Sequence, residues 1–221
     1  MKMNPKTALD NCATLMLDMD GTVLDLAFDN YVWKELVPEQ YAQKEGISKN
    51  DALAHLYAEY RSMQGQLDWY CLDHWNDKLG LDILALHRSV DTRIGYLPGA
   101  RRFLEAVSKR DIRLLLVTNS HRDTLAVKTE VTGVADFFDH VYSAHDVGHA
   151  KEDQSFWQAL RQAESFDPES TLFVDDNVSV LRSAHRFGVQ MLLTVTRPDT
   201  TAPVKDGSEF AGVEGVVDLL T

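Results

Sequence analysis

Residues Thr14–Gly21 read Thr-Leu-Met-Leu-Asp-Met-Asp-Gly, an apolar run that ends abruptly in two carboxylates and a glycine. Two similar runs occur further along the chain, Ile112–Val117 before Thr118 and Thr171–Val174 before Asp175. Near-continuous apolar runs of this length are typical of strands in a parallel sheet that is covered on both faces. The sequence therefore predicts three buried strands that each end in polar side chains.

Weaker runs of the same kind lie at Phe138–Ser143 and Met191–Thr196, and helical patterns separate the runs. Asp153–Glu164, for example, places its apolar side chains on one helical face. Strands that alternate with helices at this spacing predict a doubly wound, Rossmann-like α/β fold with a parallel sheet.

The stretch from Ala27 to Gly95 departs from this rhythm. It has no comparable apolar run, and its Trp, Tyr and Leu residues recur at helical spacing, as in Ala52–Tyr60 and Trp69–Trp75. We interpret residues 27–95 as a helical cap inserted into an α/β core formed by residues 1–26 and 96–221. An insertion directly after the first strand is expected to overhang the carboxyl edge of the sheet, where open α/β folds bind ligands.

The composition narrows the class of protein. The chain has 221 residues and a formal net charge of −12, so neither nucleic acid nor an anionic membrane surface is expected as a partner. Cys12 and Cys71 stand far apart and form no Cys-x-x-Cys pair, which argues against a disulfide scaffold and a cysteine-based zinc site. No signal peptide or membrane-spanning run is visible, so we expect a cytoplasmic protein.

Asp18 and Asp20 carry the sharpest chemical signal. Carboxylates at positions i and i+2 of a strand end point the same way, and Gly21 permits a sharp turn after them. Such a pair can hold Mg²⁺, which prefers oxygen ligands. A carboxylate so placed can also attack phosphorus while its neighbour transfers a proton. For an isolated motif of this kind, a solvated Asp-Gly turn is the simpler alternative.

Polar side chains after the other predicted strands argue against that alternative. Thr118 and Asn119 offer a hydroxyl and an amide to phosphate oxygens, and Lys151 offers a positive charge. Asp175 and Asp176 follow the third apolar run and can complete a metal site. Four carboxylates against one lysine would not accept a phosphate dianion unaided, so the sequence predicts a divalent cation and a small phosphate ester.

These groups, taken in order, resemble the motifs of the haloacid dehalogenase-like (HAD) superfamily over nearly the whole chain. They are Asp18-x-Asp20-Gly21-Thr22, Thr118-Asn119, Lys151 and Asp175-Asp176. The helical insertion between the first two motifs resembles the type 1 cap of the superfamily. The resemblance implies a HAD-like fold with an α-helical cap.

The same resemblance implies roles for the individual residues. Asp18 would be the nucleophile and Asp20 the general acid and base, which requires a higher pKa at Asp20 than at Asp18. Thr118 and Lys151 would hold the transferring phosphoryl group. Mg²⁺ would be bound by Asp18, the Asp20 carbonyl and the last acidic pair, in which Asp176 would be the direct ligand and its neighbour would act from further away.

Four segments also resemble the purine 5′-nucleotidase (GMP/IMP nucleotidase) branch of the superfamily: Leu26–Tyr31, Asp68–Asp73, Thr118–His121 and Lys151–Gln154. This implies a Mg²⁺-dependent phosphatase for purine nucleoside 5′-monophosphates. The third motif has Glu152 where the superfamily commonly has Pro. A phosphosugar phosphatase, a phosphomutase and a non-catalytic phosphate-binding module are the alternatives.

Asn119, His121, Asp29 and Asn30 are the predicted substrate-binding residues. His121 directly follows the second motif, where it can touch substrate or lie on the surface. Asp29 and Asn30 come shortly after the first motif, and there they could bind sugar or base or cap the next helix.

Other histidines and aromatic residues have simpler interpretations. His145 and His149 are four residues apart, but Gly148 argues against a helix, so we expect solvated loop histidines. Trp69, Tyr70 and Trp75 could stack on a base, although helical spacing favours packing within the cap for most of them.

Overall fold

The computed structural model describes residues 4–206 and 208–220, with the backbone alone for residue 6. Its six strands are β1 (Thr14–Leu17), β2 (Arg113–Thr118), β3 (His140–Ser143), β4 (Thr171–Asp175), β5 (Met191–Val195) and β6 (Ala211–Val213). They form one sheet in the order β3-β2-β1-β4-β5-β6, and each neighbouring pair is parallel. The predicted doubly wound parallel sheet is confirmed, and β6 is a short edge strand that the sequence analysis did not predict.

Eleven α-helices lie among the described residues. They are α1 (Pro5–Asn11), α2 (Ala27–Tyr31), α3 (Val37–Glu45), α4 (Lys49–Met63), α5 (Leu72–Leu79), α6 (Ile83–Ser89), α7 (Ala100–Val107), α8 (Arg122–Thr132), α9 (Ala144–Val147), α10 (Gln154–Ala163) and α11 (Val178–Phe187). A π-helical turn, Val32–Leu36, joins α2 to α3, and 3₁₀ turns lie at Leu67–Tyr70, Asp91–Arg93, Val134–Phe137, Pro168–Ser170 and Val216–Leu220.

Alternate side chains of the strands enter two separate cores. Leu15 and Leu17 of β1 join the larger core, while Met16 between them faces the smaller core with Trp157 of α10 and Leu181 of α11. All five side chains are less than 1% exposed. Successive strand residues point to opposite faces, so a strand buried on both faces must be apolar throughout. This requirement explains why the apolar runs identified the sheet.

The segment 27–95 contains helices and no strand. The chain enters and leaves it side by side, because the Asp25 amide donates to the Gly95 carbonyl and the Leu97 amide to the Val23 carbonyl. Leu24 and Tyr96 form an antiparallel bridge between these two crossings. The helical segment therefore follows β1 directly and lies beside the carboxyl edge of the sheet.

The expectation of a loop at His145 is wrong. Ser143 caps α9, and its side chain and that of Asp146 form a reciprocal capping box. Such a box satisfies two backbone donors and stabilises even a single helical turn. Gly148, with φ of 76°, then ends the helix, so His149 lies outside it.

No helix within the described ranges is both long and apolar enough to cross a membrane.

His87 of α6 is a buried titratable group that makes folding depend on pH. It is 1% exposed, its Nδ1 lies 2.7 Å from the Ile83 carbonyl oxygen, and its ring packs edge-on against Phe28 and Trp33. Burial lowers the pKa of His87 to about 4. In the unfolded chain the imidazole takes up its proton near pH 6.5, so the unfolded state binds more protons between these two values.

We therefore expect the stability conferred by His87 to be complete above about pH 6.5 and to fall as pH drops towards 4. His87→Gln should reduce the difference in unfolding free energy between pH 7 and pH 4.5 by about 2–3 kcal/mol. Urea unfolding at both pH values measures this difference. The exposed His149, changed to Gln, is the matched control, and an equal pH dependence in wild type and His87→Gln would contradict the prediction.

Candidate active site

The ten predicted site residues line one cavity of about 640 Å³ at the carboxyl edge of the sheet. They are Asp18, Asp20, Asp29, Asn30, Thr118, Asn119, His121, Lys151, Asp175 and Asp176. The sheet order places β1 between β2 and β4, so the ends of all three strands meet there. This is the position at which open α/β sheets bind ligands.

Lys151 lies between two buried carboxylates. Its Nζ is 2.5 Å from Asp18 Oδ1 and 2.7 Å from Asp175 Oδ2, and it also donates to the Val117 carbonyl. Burial raises the pKa of Asp18 to about 6 although Lys151 opposes this, and it raises the pKa of Asp175 well above its usual range. Burial alone would lower the pKa of Lys151, but Asp175 and Asp18 outweigh it and hold that pKa above its usual range.

Asp20 is held by a lysine that the sequence analysis missed. Lys128 of α8 is 1% exposed, and its Nζ lies 2.6 Å from Asp20 Oδ1 and 2.7 Å from Asp29 Oδ1. Burial and the charge of Asp29 raise the pKa of Asp20 to about 6, against the opposing charge of Lys128. Burial is the main cause of the raised pKa at both Asp18 and Asp20, and it brings both to about 6, so the protein groups alone do not produce the expected pKa difference between them.

Asp176 closes the opposite side of the site. Its Oδ2 accepts a hydrogen bond of 2.8 Å from Lys205. Gly21 approaches so closely that a Cβ there would lie 2.9 Å from Asp176 Cγ and 2.9 Å from Pro198 Cβ. Gly21 also has φ of 87°, which a residue with a side chain rarely adopts. Glycine is therefore required for the first motif to pack against the last one.

Asn119 and Glu152 position the lysine loop. Asn119 Oδ1 accepts from the Lys151 amide at 2.9 Å, and its Nδ2 donates to Glu152 Oε2 at 3.0 Å. Glu152 Oε1 accepts from the Tyr70 hydroxyl at 2.8 Å and from Asn177 Nδ2 at 3.3 Å. Glu152, which stands where the superfamily commonly has Pro, thus joins the helical segment to the core. Both the oxygen and the nitrogen of the Asn119 amide are used to hold the Lys151–Glu152 loop, so neither is directed at the cavity centre.

The remaining predicted residues have distinct surroundings. Thr118 is buried at the end of β2, and its Oγ1 accepts from the Ser120 amide, which leaves the hydroxyl hydrogen available to a ligand. His121 caps α8 by accepting from the Asp123 amide. Asn30 donates to Asp199 Oδ2 at 2.6 Å, and Asp29 accepts from Lys128. Both residues lie inside α2 and neither caps a helix.

Aromatic residues form the wall of the cavity away from the strand ends. Trp33, Tyr60, Trp69 and Trp75 pack edge-on against one another, with ring centroids 5.1–6.4 Å apart in the pairs that meet. Trp75 is 1% exposed, while Trp69 is half-buried. The packing predicted for Trp69 and Trp75 is confirmed, whereas the Tyr70 hydroxyl bonds to Glu152 of the core. The four packed rings also give the cavity an apolar end.

The carboxylates of Asp18, Asp175 and Asp176 can hold a metal ion. One oxygen from each lies within 4.8 Å of the others. Three hard anionic oxygens are the donor set that Mg²⁺ prefers, and this ion commonly uses one or two carboxylates together with substrate and water. Asp175 already uses both oxygens, for Lys151 and for the Asn177 amide, whereas Lys205 occupies only Oδ2 of Asp176. The donor chemistry therefore fits Mg²⁺, with Asp176 better placed than Asp175.

The charge balance of the site differs from the one expected from sequence. The count of four carboxylates and one lysine omitted Asp29, Lys34, Arg61 and Lys205, which also line the cavity, and Lys128, which pairs with Asp20 and Asp29 from behind. Five carboxylates are therefore accompanied by four lysines and an arginine, and the surplus negative charge is smaller than predicted. Lys128 had a weak sequence signal, because it shares a helical face with Thr124.

Solved structures share the fold of this chain. The HAD phosphatase from Thermococcus onnurineus superposes with a TM-score of 0.77 at 21% identity, over 93% of this chain and 95% of that chain. The L-2-haloacid dehalogenase from Xanthobacter autotrophicus superposes with a TM-score of 0.63 at 16% identity, over 94% of this chain and 96% of that chain. The protein thus has the HAD-like α/β fold.

Sequence comparison gives the family. The haloacid dehalogenase-like hydrolase model matches residues 12–188. The GMP/IMP nucleotidase YrfG of Escherichia coli (strain K12) is 41% identical over 198 residues, which are 90% of this chain and 89% of the relative. The chain belongs to the haloacid dehalogenase-like hydrolases, and the resemblance seen in its motifs is confirmed.

Proposed function

We propose that this chain is a Mg²⁺-dependent phosphatase that hydrolyses a purine nucleoside 5′-monophosphate through an aspartyl-phosphate on Asp18. One observation carries the proposal: all the predicted motifs converge on a single cavity whose other end is aromatic. The polar end suits a phosphate and the apolar end suits a flat base, which can stack on or pack against aromatic rings. The similarity to the Escherichia coli GMP/IMP nucleotidase supports a purine nucleotide as the substrate.

The chain's own residues provide each chemical role in this proposal. A carboxylate oxygen of Asp18 attacks phosphorus in line, and the new O–P bond forms as the ester P–O bond breaks. Asp20 donates a proton to the leaving ester oxygen and then takes one from the water that hydrolyses the aspartyl-phosphate. Thr118 and Lys151 hold the phosphoryl oxygens, and Lys128 fixes the Asp20 carboxyl beside the reacting atoms.

Asp18, Asp176 and the Asp20 carbonyl would hold Mg²⁺. Asp175 would not bind the ion directly but would position Lys151 by accepting its hydrogen bond. When bound, the cation favours the ionised form of Asp18 and neutralises phosphate charge. Asp20 keeps a raised pKa through burial and Asp29, so the two carboxylates can take different protonation states.

We also propose that residues 27–95 act as a cap over the core formed by 1–26 and 96–221. The Tyr70 hydroxyl bonded to Glu152 and the adjacent chain crossings at Asp25 and Leu97 support this division. Such a cap would exclude bulk water from the aspartyl-phosphate and contact the base and sugar.

A phosphate-release assay tests the function. With Mg²⁺ present, GMP and IMP should be hydrolysed with kcat/KM at least about tenfold above pyrimidine nucleotides, phosphosugars, phosphoglycolate and pyrophosphate, because the cavity has an aromatic end. A chelator should abolish the activity and added Mg²⁺ should restore it.

The assay separates the alternatives. A preference for phosphosugars would replace the nucleotidase proposal with a phosphosugar phosphatase. Phosphate transfer between sugar positions without release would indicate a mutase. Full activity in the presence of chelator would contradict the role given to Mg²⁺.

A further inference from the structure

Cys71, His121 and His145 come together beside the cavity although they are far apart in sequence. One ligand atom from each lies within 4.8 Å of the other two. The His121 and His145 rings meet edge-on with centroids 4.8 Å apart. They meet because the fold brings the residue before α5 beside residues that follow the ends of β2 and β3.

The cluster joins the helical segment to the core. Cys71 lies between the Leu67–Tyr70 turn and α5, and His121 and His145 lie at the starts of α8 and α9. The preceding residue, Tyr70, is bonded to Glu152 of the core. A ligand shared by the three side chains would therefore span this boundary.

His145 presents a ring nitrogen in the form that binds metal. Its Nε2 is buried and has no hydrogen-bond partner among the residues that the structure describes. The ring makes its other hydrogen bond to the Tyr70 backbone, which leaves a lone pair on Nε2. Burial and the neighbouring His121 lower the pKa of His145, so the imidazole is neutral at pH 7.

Acidic side chains near His121 complete the surroundings. Asp73 Oδ2 lies 3.9 Å from His121 Nε2, and Asp123 Oδ2 lies 3.7 Å from His121 Nδ1. Zn²⁺ bound at Nε2 would require the His121 proton to lie on Nδ1, so His121 would exchange the hydrogen bond that it accepts from the Asp123 amide for one donated to the Asp123 carboxylate. A carboxylate at the second nitrogen of a metal-binding histidine commonly fixes its orientation. The Asp73 carboxylate is within reach as a further oxygen ligand, and both negative charges favour a dication.

We propose that Cys71, His121 and His145 form a binding site for Zn²⁺, with Asp73 or water as the fourth ligand. One sulfur and two imidazole nitrogens suit a borderline-soft cation and not Mg²⁺. Tetrahedral zinc, at its usual bond lengths, would hold these atoms roughly 3.5 Å apart, so they need to draw together by about 1 Å. The thiol proton leaves to solvent as the S–Zn bond forms.

This site is separate from the carboxylate site and does not depend on phosphatase activity. Zn²⁺ binding would tie Cys71 to the core and hold His121 at the cavity wall. The expectation from sequence that no cysteine-based zinc site exists rested on the absence of Cys-x-x-Cys, and that motif is not needed when ligands come from three different elements.

Titration with Co²⁺ in excess Mg²⁺ tests the proposal, because a thiolate-to-cobalt charge-transfer band requires sulfur and so reports this site alone. Wild type should show the band at one equivalent of Co²⁺, and Zn²⁺ should abolish it by displacing Co²⁺. Zn²⁺ added to the metal-free protein should release about one proton per ion, as measured by calorimetry in two buffers. Cys71→Ser should abolish the band. His145→Gln should weaken Zn²⁺ binding by more than the roughly 10–100-fold lost with an outer-shell partner.

Cys12→Ser and His149→Gln are the matched controls, and both should bind as wild type does. Cys12 is buried in the core, and His149 is exposed just beyond α9. The proposal is overturned if wild type shows no charge-transfer band, if Cys71→Ser retains it, or if His145→Gln binds Zn²⁺ as tightly as wild type. Circular dichroism of each variant confirms that the fold is present in every comparison.

Discussion

Asp18→Asn is expected to reduce phosphate release by on the order of 10⁴-fold or more, because an amide has no anionic oxygen with which to attack phosphorus. Asp18 is 6% exposed at the end of β1 and lies 2.5 Å from the Lys151 ammonium. Asparagine nearly matches its shape, so the variant should fold while losing the nucleophile. Steady-state phosphate release with Mg²⁺ and GMP measures the effect.

Two further measurements make this prediction specific. Acid-quenched wild type, mixed with labelled substrate, should carry phosphate on the peptide that contains Asp18, and the variant should carry none. Exposed Asp111, changed to Asn, is the matched control and should keep wild-type turnover. Appreciable turnover by Asp18→Asn with an unchanged urea midpoint would remove Asp18 from the role of nucleophile.

Among the substitutions proposed here, Lys128→Met is expected to lower the free energy of unfolding the most. Lys128 is 1% exposed and is the ammonium group that contacts both Asp20 and Asp29. Removing one partner of a buried ion pair leaves uncompensated charge and costs about 3–5 kcal/mol. Urea unfolding at pH 7 measures this loss.

The pH dependence of that loss follows from Asp20. Its pKa is already raised to about 6 by burial and Asp29, and removing Lys128 raises it further. A carboxyl whose folded pKa lies above the unfolded value costs stability as pH rises. Lys128→Met should therefore lose more stability at pH 7 than at pH 5, where Asp20 can take a proton.

A second substitution tests this explanation. Adding Asp29→Asn to Lys128→Met removes one of the two stranded charges and should recover part of the lost stability. The exposed Lys109, changed to Met, should cost less than about 1 kcal/mol, as expected of a surface charge. A loss as small as this in Lys128→Met would show that the buried ion pairs contribute little.

The sequence predicted the sheet well, because strands buried on both faces are apolar without interruption and their polar ends stand out. β6 was missed because Ala211–Val213 is only three residues long and lies at the sheet edge. An edge strand is only partly buried, so it needs no continuous apolar run. The helix at His145 was missed because one turn is too short for a periodic pattern, and the capping residues Ser143 and Asp146 were its one local signal.

By itself the sequence determined the parallel sheet, the helical segment after the first strand and the four motifs at the strand ends. These depend on local patterns, since each motif directly follows its own strand. Only the tertiary structure decided which distant side chains complete the site. It brings Lys128 onto Asp20 across 108 positions of sequence and Cys71 beside His121 and His145. No local pattern encodes such contacts, because they depend on how separate helices pack against the sheet.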